Sequence, residues 1–258
     1  MTLKLLVLFF TPLLSGLAIF LVPGGKGRRS FKLLLVFAGA YLFAITIIHI
    51  LPELYHQPVG LEYIGLFVLA GFFLQQVLEY FTAGIEHGHM HGHVAPGQQG
   101  HPHHTHTHQS VSAVVLLMAL CIHAFLEGGM LAQPATMGVP YDVHAILLGI
   151  ALHRAPAAFA LMTVLAYQLG SRRRALPYLL GFSLAAPFGL LISTSLAEYE
   201  ILTGEGMIFL YAVVCGNFLH ISTTIVFESS PEHRFNAKKL TVAIVGSLVA
   251  VLVEYGLM

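Results

Sequence analysis

The sequence predicts an all-α membrane protein with eight transmembrane helices and both termini extracytoplasmic. Three observations carry this expectation. Of the 258 residues, 57% are apolar and only 9% charged, whereas a soluble domain has roughly 45–50% and about 25%. That is too little charge to cover a surface facing water, so the apolar exterior must be solvated by lipid. The apolar residues also form continuous runs of helix-spanning length and do not alternate as lipid-facing strands would. Finally, all the basic residues but Lys4 and Arg154 fall on every second connector.

Eight runs qualify as spans: 3–22, 33–54, 61–84, 111–133, 142–169, 176–197, 207–228 and 239–257. The first could be mistaken for a secretory signal. It lacks a small-residue cleavage site, and its basic cluster follows the apolar run instead of preceding it, so it reads as a span. Lys26, Arg28, Arg29 and Lys32 flank the first connector, Arg172, Arg173 and Arg174 fill the fifth, and Arg234, Lys238 and Lys239 lie at the seventh. The even-numbered connectors carry Glu198, Glu200 and Glu205 but no Lys or Arg. The odd-numbered connectors are therefore expected in the cytoplasm. The whole chain, 1–258, reads as one transmembrane domain, interrupted by a histidine-rich cytoplasmic loop at about 86–110.

That loop, the third connector, holds His87, His89, His91, His93, His101, His103, His104, His106 and His108 among Gly, Pro, Gln and Thr. Such a composition offers no packing face, so a disordered tract is expected. Imidazoles with a pKa near ~6.5 are mostly neutral at cytoplasmic pH and can ligate metal. A spacer without a metal role is the plainer alternative. The formal net charge of zero argues against nucleic acid as a partner. Cys121 and Cys215 form no CxxC pair and suggest no disulfide framework.

An ionisable residue at membrane depth is costly and marks a candidate functional site. In "CIHAFLEGGM", His123 and Glu127 are four residues apart and share a helix face. An imidazole and a carboxylate one turn apart suit Zn²⁺ or a similar divalent ion. They also suit a hydrogen bond that merely joins two helices. In "ALHRAPAAFAL", His153 and Arg154 precede Pro156, which frees a backbone carbonyl within the span. Arg154 at that depth requires an anionic partner. "TIIHILPEL" sets His49 four residues before Glu53, with Pro52 between, and the bland reading leaves Glu53 at the water interface. "CGNFLHISTTIVFES" sets Asn217 three residues before His220. Taken together, these histidines point to a metal site between helices.

These residues resemble the ZIP (Zrt/Irt-like) family of divalent metal transporters, along the whole chain in topology and in part by motif. The fourth-span signature of that family is close to H-N-x-x-[DE]-G, and here stands His123-Ala124-Phe125-Leu126-Glu127-Gly128. The fifth-span signature is close to H-E-x-P-[HE]-[EG], and here stands His153-Arg154-Ala155-Pro156-Ala157-Ala158. The second span's "HILPE" is similar to the family's "HLLPE". The resemblance implies metal ligands at His123, Glu127 and His153, with His49 as a fourth. Arg154, Glu53, His220 and Asn217 are candidates for accessory or pathway roles. Family members often hold two adjacent metals between spans four and five. Here Ala124, Arg154, Ala157 and Ala158 stand where ligands are common, so a mainly single-metal site is expected.

The expected function is transport of a divalent metal toward the cytoplasm by alternating access. A set of imidazoles and one carboxylate favours Zn²⁺, with Fe²⁺, Mn²⁺, Co²⁺ and Ni²⁺ also compatible. The expected partners are the metal and the lipid bilayer of the plasma (inner) membrane, and small-residue faces would allow a homodimer. Two rival classes are a metal-sensing relative that transports poorly and an intramembrane metal-dependent hydrolase. The latter needs three firm ligands, an open position and a general base, yet no H-E-x-x-H is present.

Overall fold

A computed structural model describes residues 1–21, 28–82, 113–132, 143–228 and 237–256. The histidine tract, Lys26 and Arg234 lie outside them. Among the described residues there is no strand. The elements are α1 (Thr2–Leu17, extended by the 3₁₀ turn Ala18–Phe20), α2 (Arg28–Ile45), α3 (Leu61–Thr82), α4 (Ala113–Met130), α5 (His144–Gln168), α6 (Leu176–Glu198), α7 (Gly204–Glu228) and α8 (Ala237–Gly256). The α2 rod continues through a π turn, Thr46–Ile50, into a last turn, Leu51–Tyr55. All eight rods are long and apolar enough to cross a bilayer, which at 1.5 Å per residue needs about 20 residues. Arg28, Lys32, Lys238 and Lys239 belong to the first turns of α2 and α8, not to the connectors.

Burial sorts the helices. In α5 and α7, 72% of the most apolar window is buried, against 22% in α1, α3 and α8, so the first two form the centre and the last three face lipid. Packing divides the rods into two groups. α1 lies along α5 and α6, and α4 lies along α6. α3 lies along α7, and α2 lies along α8 and α7. The groups meet where α2 touches α5, α3 touches α4 and α4 touches α7.

Glycine sets the tightest crossings. A Cβ on Gly128 would overlap the Ala186 carbonyl, and one on Gly189 would overlap that of Phe125. The α4 and α6 backbones therefore touch, as small residues allow in lipid. Gly71 and Gly216 play the same part between α3 and α7, against the Val213 and Val68 carbonyls. α1 is pinned along its length by polar bonds. Lys4 Nζ donates to Leu131 O at 3.0 Å, Ser15 Oγ to Ala155 O at 2.5 Å, and Arg172 Nη1 to Ile19 O at 2.9 Å. Pro156 and Pro187 are buried inside unbroken helices, where neighbouring helices shield the backbone groups that proline frees.

Candidate metal centre on α4 and α5

The fourth helix presents His123 and Glu127 one turn apart on its buried face. His123 Nε2 lies 3.0 Å from Glu127 Oε1. The fifth helix brings His153 against them, its ring perpendicular to that of His123 with centroids 5.9 Å apart. One ligand atom from each of His123, Glu127 and His153 lies within 4.8 Å of the others. The donors of a tetrahedral zinc, about 2.0–2.1 Å from the ion, stand roughly 3.3 Å from one another. Small side-chain rotations would close the difference, so two imidazoles and a carboxylate fit such an ion with one position left over.

Arg154 follows His153 and projects about 100° further round the helix. That turn carries its guanidinium toward α6 while keeping it beside the site. Nη1 stands 3.7 Å from Glu127 Oε2, Nη2 donates to Phe182 O at 3.0 Å, and the guanidinium carbon sits 4.8 Å from the centre of the Phe182 ring. The anionic partner that Arg154 required from sequence is thus Glu127. His123, Glu127, His153 and Arg154 are 3%, 0%, 1% and 1% exposed. At such burial each charge depends on the others, because an unpaired buried charge is strongly disfavoured. One carboxylate therefore serves two imidazoles and a guanidinium.

The structure does not bring His49 into this group. Its Nδ1 lies 2.5 Å from Glu254 Oε1 on α8. Glu53 is half-buried and takes Gln57 Nε2 at 3.0 Å. His220 Nε2 lies 2.6 Å from Glu79 Oε2 on α3, with its ring edge-on to Phe72. Asn217 is wholly buried, and neither amide atom has a hydrogen-bond partner among the described residues. Glu79, Phe182 and Glu254 are not among the residues expected from sequence. Both carboxylates are ionisable groups inside spans, a signal that marks them without a structure. Nothing in the sequence distinguishes Phe182 from its apolar neighbours.

Sequence comparison shows which known proteins the chain is similar to. Over 172 residues the chain is 30% identical to zinc transporter ZIP9-A of Xenopus laevis, covering 64% of this chain and 52% of that protein. Over 116 residues it is 34% identical to zinc transporter ZIP9 of Macaca fascicularis, covering 42% and 48%. The chain thus spans about half the length of the curated relatives it matches. The family match runs over residues 1–254 and takes in all eight membrane-capable helices. With a buried His–Glu–His group on the fourth and fifth of those helices, the chain is a multi-pass membrane protein that belongs to the ZIP zinc transporter family.

Proposed function

We propose that this protein carries a divalent metal ion, zinc foremost, across the membrane toward the cytoplasm through one intramembrane site made by His123, Glu127 and His153. The observation that carries the reading is the convergence of these three donors, fully buried, on two helices of one packing group. Ligand chemistry supports zinc above Mg²⁺ or Ca²⁺, which take oxygen donors. Fe²⁺, Mn²⁺, Co²⁺ and Ni²⁺ suit the same donors less selectively.

Arg154 stands in for the second cation that many relatives hold beside the first. Its guanidinium keeps its charge and sits 3.7 Å from Glu127. At an effective dielectric near 20, unit charges ~4 Å apart attract by about 4 kcal/mol, partly offset by desolvation. An arriving dication competes with Arg154 for the carboxylate, while the Phe182 ring and carbonyl, which already contact the guanidinium, go on holding it. Movement of α1, α4, α5 and α6 against α2, α3, α7 and α8 would open the site to each side in turn. In this reading the termini lie outside and the histidine tract, an acceptor of the metal, lies at the exit. The membrane is the plasma (inner) membrane, and the chain works as a single transporter domain. Zinc uptake into proteoliposomes tests this reading. Uptake that disappears in His123→Ala supports it, and wild-type protein that moves no zinc would refute it.

A further inference from the structure

The seam between α2 and α8 gathers cations at one end. The two helices run parallel, and three contacts fix their register. A Cβ on Gly246 would overlap the Phe37 carbonyl, Ser247 Oγ donates to Ala40 O at 3.3 Å, and Glu254 meets His49 further along. Ser247 and Ala40 are 207 positions apart. Lys239 and Lys32 have the same separation, so two lysines stand at one level of the seam, about two turns before the Gly246 contact. They lie close enough for Lys32 to act on the charge of Lys239. Both are half-buried, and Lys238 beside them is exposed.

Two cations at one level of a seam repel each other, and an anion between them turns that repulsion into attraction. The neighbouring sequence supplies little negative charge. Residues 26–32 carry Lys26, Arg28, Arg29 and Lys32, and residues 228–239 carry Arg234, Lys238 and Lys239 against Glu228 and Glu232, seven basic residues against two acidic. Neither helix has an acid in its first turn, where one would be favoured. Orientation in a membrane asks for cations on one side of it, but not for two at one level of a helix seam. At the connector between α5 and α6 the first arginine is already engaged, since Arg172 donates to the Ile19 carbonyl. Leu34 and Leu240 follow Lys32 and Lys239 within two residues and are exposed on membrane-capable helices. A ligand that fits this end of the seam therefore has an anionic head and apolar tails.

We propose that Lys32, Lys238 and Lys239, at the start of the α2–α8 seam, bind the phosphodiester headgroup of an anionic phospholipid whose acyl chains lie against Leu34 and Leu240. α8 packs chiefly on α2, so the lipid ties the outermost helix to the bundle. Thermal unfolding of the full-length protein in a neutral detergent tests this, with dioleoyl phosphatidylglycerol, dioleoyl phosphatidylcholine or inorganic phosphate added in rising amounts. Phosphatidylglycerol should raise the unfolding midpoint saturably, and the other two should not. In Lys32→Gln with Lys239→Gln, the phosphatidylglycerol needed for half the rise should increase roughly 25-fold, at about fivefold per lysine beside an anionic headgroup. Each single change should increase it about fivefold, a reading that stands even if the double variant does not fold. Arg173→Gln with Arg174→Gln, the same loss of charge at another connector, should change it by less than about twofold. No rise with phosphatidylglycerol, an equal rise with phosphatidylcholine, or equal losses in the two double variants would overturn the proposal. An equal rise with inorganic phosphate would overturn it too, because the site would then take a free ion and not a lipid.

Discussion

The two helix groups handle their histidines in opposite ways. In the first, one carboxylate, Glu127, is shared by His123, His153 and Arg154. In the second, two buried histidines have a carboxylate apiece, His49 with Glu254 and His220 with Glu79. Sharing leaves the carboxylate with several competing partners at moderate distance, an arrangement that a dication can enter and reorder. One-to-one pairing fixes an imidazole and ties two helices together. The arginine makes the first arrangement tolerable in hydrocarbon, because it balances the charge on Glu127 when no metal does.

The largest effects are expected at the shared carboxylate and its two imidazoles. Replacing His123, Glu127 or His153 singly by Ala should lower zinc uptake by roughly 100-fold or more, since loss of even an outer partner of a metal ligand costs about 10–100-fold. Uptake assays on correctly inserted protein would check this, and normal rates in all three variants would place the path elsewhere. Next in size is Arg154→Met. It strands Glu127 without its guanidinium and should destabilise the fold by about 3–5 kcal/mol, the usual effect of breaking a buried pair from one side. Thermal unfolding with and without zinc is the measurement, and zinc should restore more stability to this variant than to wild type.

A smaller effect sharpens the other side of the comparison. If His220 and Glu79 serve each other, the double change His220→Phe with Glu79→Met should destabilise less than either change alone, because a buried pair can be replaced by apolar groups more cheaply than it can be split. Equal or additive losses in unfolding midpoints would give the two residues separate roles. The smallest effect is expected from deleting residues 87–108. Uptake should remain measurable with an altered dependence on zinc concentration, and complete loss in a folded, inserted protein would contradict the place given to the tract.

The span count and the His123–Glu127 pair were legible because both follow from local rules, whereas His153 joined that pair only through the resemblance to the family. A run of about 20 apolar residues must cross a bilayer, and a residue four positions on shares a helix face. Arg154 was legible as a residue in need of an anion, and the structure supplies Glu127. The placement of His49 was not legible. Its spacing from Glu53 pointed to a local pair, but the π turn changes the register between them, and the partner comes from α8, 205 positions away. Grouping of the helices was equally out of reach, since glycine contacts such as Gly128 on Ala186 and Gly71 on Val213 are set by tertiary packing. Those contacts decide which faces meet, and a nearly uniform apolar pattern in lipid does not.

One metal and one arginine are proposed to occupy the space where many members of the family hold two metals. Anomalous scattering at the zinc absorption edge, from crystals of the protein grown with zinc, tests it most directly. A single peak is expected between α4 and α5, within coordination distance of His123, Glu127 and His153, with the Arg154 guanidinium beside it. Two adjacent peaks between those helices, sharing Glu127 while Arg154 points away, would contradict it.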